Sequence, residues 1–157
     1  MIASIEQVQR ATESALSMKV HEVRRQTRWR PTWFVKGEKD GAPFDLVIRG
    51  DRVDTSVFPL EHEYRFHRLL EEHGIPVPKI YGWIDELDAV AMQMVPGQPN
   101  FQGTPTEDRD QVVDEYIQVL ARIHALPIQP FADAKIFRAD TPERSSAVGE
   151  LNWVMRA

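Results

Sequence analysis

Two charged residues in the middle of the sequence have the types and spacing needed to hold an anion. Arg49 ends the mainly apolar segment 45–49, and Glu63 lies in the next segment of helical periodicity. A guanidinium can donate two parallel hydrogen bonds to a phosphate, and a carboxylate can hold that guanidinium in position. The residues also fit a simpler interpretation, in which Arg49 is a surface residue at a strand end and Glu63 an exposed helical residue with i,i+4 partners.

A second carboxylate, Glu61, lies close enough in sequence to compete for the same role. Glu63 is the better candidate because it falls beside Tyr64 and His67, on the apolar side of the predicted helix, whereas Glu61 lies on another face. We therefore expect the Arg49 guanidinium and the Glu63 carboxylate to approach within about 4 Å, the usual limit for an ion pair.

Composition excludes several classes of protein. The 157 residues are 42% hydrophobic and 27% charged, with a net charge of −5 and no cysteine. Acidic and basic residues are interleaved except in the basic segment 24–30, which argues against a duplex nucleic-acid binder. Without cysteine there can be no disulfide framework or thiolate nucleophile. The N-terminal residues lack a signal pattern, and no apolar run approaches the length of a membrane span, so we expect a cytoplasmic protein without membrane contact.

Hydrophobic periodicity predicts the order of elements. A helix is expected over about 4–18, strands over 20–28, 32–38 and 44–48, a helix from Pro59 to Gly74, strands over 79–84 and 89–95, and helices over 104–126 and 143–156. Residues 127–141 are expected to be irregular. The predicted fold class is α+β, a five-stranded antiparallel sheet with one inserted helix followed by two or three further helices. The predicted units are an N-terminal helix over 1–19, a lobe over 20–97, and a linker with helices over 98–157.

Local signals support these boundaries. Ser4 followed by Gln7 is a capping box, and a second one is expected at Thr104, with Pro105 in the first helical position. The dipeptide Asp40-Gly41 predicts a hairpin turn between strands.

The same order of elements, with its particular residues, resembles the N-terminal lobe of the aminoglycoside phosphotransferase and choline kinase-like family. The resemblance covers about 20–126, and its carriers are the segments 46–49, 61–70, 74–82, 92–97 and 120–126. It implies a protein-kinase-like fold and a phosphotransferase that moves the γ-phosphoryl group of ATP to a small-molecule hydroxyl. His124 matches a helical position of structural type, and we expect it to be at least half-buried.

The resemblance also implies roles for particular residues. Arg49 corresponds to the strand cation that contacts the α- and β-phosphates, and Glu63 to its helical partner. The hinge that holds adenine is implied at Met92, Gln93, Met94 and Val95, where the backbone of Gln93 and Val95 would supply the hydrogen bonds. Val35 and Val47 would form an apolar roof over the base, although both also fit the core of a small sheet.

One turn departs from the family's pattern. Residues 27–32, in the place of a phosphate-covering loop, contain no glycine, and Pro31 lacks a backbone N–H. Arg28 and Arg30 could contact phosphates with their side chains instead. They could equally be solvated cations that pack on Trp29 and Trp33.

No catalytic residue and no metal ligand is predicted in this chain. The family's His-Gly-Asp catalytic loop does not occur in the sequence, and ATP and Mg²⁺ are implied only by the resemblance, with the metal ligands expected elsewhere. The chain therefore has the character of a truncated enzyme, expected to be inactive alone and to self-associate or to need a chain that supplies the missing C-terminal lobe. Two other interpretations remain open: an interaction or dimerisation module derived from such a lobe, and a nucleotide sensor that binds without turnover.

Overall fold

An antiparallel sheet forms the centre of the structure, a computed structural model that describes residues 2–27, 30–51, 59–97 and 100–134. Its strands are β1 (Lys19–Gln26), β2 (Thr32–Lys39), β3 (Ala42–Pro43), β4 (Leu46–Gly50), β5 (Ile80–Ile84) and β6 (Ala89–Gln93). The strand order is β1-β2-β4-β6-β5, and the short β3 pairs with β2 at one side of this path.

Four α-helices accompany the sheet in the described part of the chain. They are α1 (Ile5–Leu16), α2 (Leu60–Glu72), α3 (Thr106–His124) and α4 (Gln129–Asp133), and a 3-10 turn over Asp85–Leu87 joins β5 to β6. The α+β class is confirmed, and so is the insertion of a helix between the third long strand and the last two. None of the helices in the described ranges has the length and apolar character required to cross a membrane.

The sheet has six strands where five were predicted. Asp40 and Gly41 have φ angles of 53° and 77°, which gives the predicted two-residue hairpin turn and lets Lys39 pair with Ala42. The paired segment after the turn ends at Pro43, which has no N–H to donate to the ladder. The chain then pairs with β2 again, through β4, with Val35 opposite Leu46.

Helix boundaries were predicted with mixed success. The Ser4 capping box is present, with Gln7 N donating to Ser4 Oγ at 3.2 Å and Ser4 N donating to Gln7 Oε1 at 2.8 Å. The capping box at Thr104 is wrong, because α3 begins at Thr106 after Pro105 and has no side-chain cap. Residues 127–141 were expected to be irregular, yet α4 lies within them; the predicted helix over 143–156 lies outside the described residues.

Alternate residues of the strands build two separate apolar layers. Helix α1 covers one face of the sheet, where Val8 and Ala11 pack with the buried side chains of the central strands, among them Val35, Leu46, Ile48 and Ala91. Full burial of one such aliphatic side chain contributes about 1.5–3 kcal/mol. Helix α2 covers part of the opposite face, where Leu60 packs against Ile80 and Val90.

A third cluster joins the helices to one another. Leu70 and Ile75, at the end of α2, pack against Phe131 of α4, with Val119 and Ile123 of α3 alongside. This cluster lies at the far end of α2. The candidate site is formed at the other end, by the first turns of α2 and the neighbouring strands.

Candidate functional site

The end of β4 holds the beginning of α2. The Asp51 carboxylate accepts a hydrogen bond from the backbone N–H of Leu60 at 2.9 Å. The first N–H groups of a helix have no partner within the helix, so a carboxylate placed there caps the helix and matches its dipole. This cap fixes the first turn of α2 directly beside the strand that carries Arg49.

One turn further along α2, Glu63 reaches the same strand end. Arg49 Nη2 lies 3.0 Å from Glu63 Oε1, so the predicted contact is confirmed. Glu61 pairs with Arg65 on its own helix, as its different face requires. The Arg49 side chain is 38% exposed, so it is a half-buried cation.

A second arginine contacts the other oxygen of the same carboxylate. Arg30 Nη1 lies 2.8 Å from Glu63 Oε2, and the Arg30 side chain is only 14% exposed. The proximity of Arg30 to Glu63 could not be predicted from the sequence, because it depends on the strand register, in which Thr32 lies opposite Arg49. Glu63 therefore bridges two guanidiniums, one from the turn between β1 and β2 and one from β4.

An apolar row runs across the sheet beside this cluster. Phe34, Val47 and Met92 lie opposite one another on β2, β4 and β6, and all three are half-buried. Arg49 follows Val47 by two residues and points to the same face, because strand side chains alternate. The Arg24 guanidinium lies 4.7 Å from the centre of the Phe34 ring. Phe34 was not predicted as a site residue, since only the register places it beside Val47.

Val35 does not join this row. It lies opposite Leu46 in the register, on the face covered by α1, and has no solvent exposure. The expectation that Val35 and Val47 form one roof is therefore wrong, because neighbours of Leu46 and neighbours of Val47 must face opposite sides of the sheet. Val35 is a core residue, and Phe34 takes the place expected for it.

The predicted hinge begins where β6 ends. Gln93 is the last residue of β6, and its backbone N–H already donates to the carbonyl of Lys79 at 2.8 Å. This excludes the Gln93 N–H as a donor to a ligand as long as β6 stays paired. Met94 is half-buried beyond the strand, and Val95 is 60% exposed.

The charges of the cluster also act on a histidine of α2. Partial burial lowers the pKa of His67, and the nearby Arg49 lowers it further, while the carboxylates of Glu63 and Glu71 raise it. Desolvation is the largest of these effects, so the imidazole keeps its neutral form to lower pH than a free histidine.

Several predicted features lie elsewhere. Arg28 is outside the described residues, so its suggested phosphate contact has no structural counterpart here. His124 is exposed at the end of α3, and the expectation that it is at least half-buried is wrong. In the described ranges, no group of three or more His, Asp or Glu side chains is placed to hold a metal ion.

Two surface clefts are lined by residues other than Arg30, Arg49 and Glu63. One of about 430 Å³ lies along β1, β2 and β3 and is lined by His21, Lys36 and Pro43 among others. Another of about 450 Å³ lies beside the start of α2 and is lined by Asp51, Tyr64 and Trp83 among others. The candidate site differs from these clefts in shape: it is an open face of the sheet with guanidinium groups at one end.

The arrangement defines a class of site. Two guanidiniums that share one carboxylate lie at the end of an apolar row, and such groups suit a ligand with an anionic group and a planar apolar group.

Comparison with known proteins supplies the family. The chain matches the family model described as the phosphotransferase enzyme family (APH) over residues 24–155, and it belongs to that family. The matched range contains the whole cluster of Arg30, Arg49 and Glu63 as well as the apolar row. Comparisons with curated proteins and with solved structures return no match.

Proposed function

We propose that this chain is the nucleotide-binding part of an ATP-dependent phosphotransferase that acts on a small-molecule hydroxyl, with its sheet and α2 forming a kinase-like N-terminal lobe. Membership of the phosphotransferase family supports the reaction class. The observation that carries the binding role is the Arg49–Glu63 ion pair, 3.0 Å long, at the end of the apolar row. A strand cation held by a helical glutamate is the arrangement that positions nucleotide phosphates in kinases.

In this proposal each part of the face has one task. Arg49 donates to the α- and β-phosphates, and Glu63 sets the direction of its guanidinium. Val47 and Met92, together with Phe34, lie against the adenine ring. This half-buried row spans three adjacent strands, β2, β4 and β6. The base edge pairs with the Gln93 carbonyl and the Val95 N–H, since the Gln93 N–H is already bonded to Lys79.

The transfer step itself needs groups beyond these. Magnesium, when bound, neutralises charge on the β- and γ-phosphates, and in the described residues no group of three or more His, Asp or Glu side chains is placed to hold it. The sequence also contains no His-Gly-Asp segment. We therefore propose that residues 1–157 bind ATP without transferring its phosphoryl group.

Calorimetric titration of the chain with ATP tests the proposal. We expect saturable binding that Arg49→Ala weakens by about tenfold or more, because a hydrogen bond to a charged group is worth about 1.5–3 kcal/mol. Arg25→Ala is the matched control, since Arg25 is an exposed arginine of β1 opposite Trp33, on the face away from Arg49. Absence of binding, or equal losses in both variants, would refute the proposal.

A second function is favoured by a different surface. Four large apolar side chains of α3 are between 46% and 64% exposed: Val112, Val113, Tyr116 and Ile117. Grouped apolar exposure of this kind is typical of a surface that another chain covers. The alternative function is a non-catalytic interaction or dimerisation module.

Light scattering at several protein concentrations tests this alternative. A module that self-associates through α3 should be a dimer or larger, and the double variant Val113→Glu with Ile117→Glu should be a monomer. Gln118→Glu changes charge at an exposed position of the same helix and should leave the assembly intact. A monomeric wild-type chain that binds ATP would favour the first function over this one.

A further inference from the structure

The cap of α2 comes from a residue that is distant in the sequence. Pro59, which directly precedes the helix, has no side-chain atom that can accept a hydrogen bond. The Asp51 carboxylate, nine positions before Leu60, accepts the Leu60 N–H instead, at 2.9 Å. The start of α2 is therefore fixed by the residue that follows β4.

Asp51 is itself attached to a further part of the sheet. Its backbone N–H donates to the carbonyl of Asp88, in the turn between β5 and β6, at 3.2 Å. Leu60 packs against Ile80 and Val90 of the same two strands. Asp51 thus connects β4, the beginning of α2 and the turn between β5 and β6, so its carboxylate has a defined position relative to the sheet.

The N–H group that Asp51 accepts has no access to water. Leu60 is 0% exposed, and a buried N–H that loses its acceptor costs free energy comparable to a lost hydrogen bond. Without the carboxylate, the first turn of α2 would shift to bring this N–H to another acceptor. Glu63 belongs to that same first turn and would move with it.

Such a shift would reach the cation of the site. Glu63 Oε1 lies 3.0 Å from Arg49 Nη2, close to the usual upper limit of about 3.2 Å for an N–H···O hydrogen bond. A displacement of the helix start by about 1 Å is therefore enough to break this bond. The direction of the Arg49 guanidinium then depends on the cap of α2.

We propose that Asp51 is a positioning residue for the nucleotide: its carboxylate fixes the first turn of α2 and, through Glu63, the direction in which Arg49 donates to the phosphates. The inference rests on the proposed function, because it assumes that Arg49 contacts the phosphates of ATP. Asp51 acts on the ligand only through Arg49. Its loss therefore weakens the binding of ligands with phosphate groups and spares ligands without them.

Calorimetry with ATP and with adenosine, on the wild-type chain and on Asp51→Ala, tests this role. We expect Asp51→Ala to weaken ATP by about fivefold, the ratio that corresponds to a typical helix cap, and to leave adenosine within about twofold. Asp51→Asn keeps a side-chain oxygen that can accept from Leu60 N, so it should retain most of the ATP affinity. Ser4→Ala is the matched control, since it removes the side-chain cap of α1 on the other face of the sheet and should alter neither affinity.

A double-mutant cycle separates positioning from a general loss of structure. If Asp51 acts through Arg49, Asp51→Ala should cause no further loss of ATP affinity in a chain that already carries Arg49→Ala. Losses that add in the double variant would make Asp51 a purely structural cap and refute the positioning role. A loss for adenosine as large as the loss for ATP would refute it as well.

The remaining outcomes separate this inference from the proposed function. A wild-type chain that does not bind ATP refutes the proposed function and this inference with it. If the wild type binds ATP and Asp51→Ala binds it equally well, only the role of Asp51 is refuted.

Discussion

Arg49 and Glu63 form an ion pair in which both partners stay accessible to solvent, with 38% and 47% of their side chains exposed. Pairs of this exposure contribute only about 0–1 kcal/mol to folding. We therefore expect a double-mutant cycle with Arg49→Ala and Glu63→Gln, followed by urea unfolding, to give a coupling free energy below about 1 kcal/mol. A coupling above that range would show that the pair mainly stabilises the fold.

Val35 and Val47 provide a matched pair of substitutions on the two faces of the sheet. Val35→Ala should cost about 2 kcal/mol of unfolding free energy, because Val35 is fully buried beneath α1 and the change leaves a cavity. Val47→Ala should cost less than about 1 kcal/mol, since Val47 is half-buried, yet it should weaken ATP binding. Denaturation and calorimetry on both variants measure this contrast, and the reverse order of stability losses would contradict the assignment of faces.

His67 gives the fold a predicted dependence on pH. Its pKa in the folded chain lies below the ordinary value of 6.5, chiefly because the imidazole is partly desolvated. The unfolded chain then binds the proton more readily, so stability falls as the pH drops through and below 6.5. Replacing His67 with Gln should make the loss of stability between about pH 7 and pH 5 smaller. An unchanged slope in thermal or urea unfolding would exclude this source.

The cap of α2 by Asp51 can be tested separately from ligand binding. Asp51→Ala removes the acceptor for Leu60 N and should cost about 1 kcal/mol of unfolding free energy. Asp45→Ala, at an exposed position just before β4, is the control and should change stability by less than about 0.5 kcal/mol. If both variants lose the same stability, the carboxylate of Asp51 has no specific capping role.

Much of the fold follows from local patterns in the sequence. The capping box at Ser4, the hairpin turn at Asp40-Gly41 and the end of α2 at Gly74 each depend on residues within a few positions of one another. Such signals could be interpreted without knowing the tertiary structure. The choice of Glu63 over Glu61 was also correct, because helical periodicity alone separates their faces.

The rest of the candidate site depends on register between distant strands. Alternation shows that Phe34 and Val35 point in opposite directions, but only the pairing of Phe34 with Val47 shows which of them lies beside Arg49. The bridge from Arg30 to Glu63 likewise requires the pairing of β2 with β4 and the placement of α2. The packing of the helices after residue 105 could not be predicted in the same way. Much of the apolar surface of α3 is exposed, so its hydrophobic pattern does not show which side of the helix is packed.

The proposed function requires ATP to bind on the face formed by Phe34, Val47 and Met92, with its phosphates at Arg49. Amide chemical shifts recorded during an ATP titration show which residues the nucleotide contacts. We predict the largest changes in β4, at the end of β6 and in the first turns of α2. Changes confined to the cleft along β1, β2 and β3, which is lined by His21 and Lys36, would contradict it.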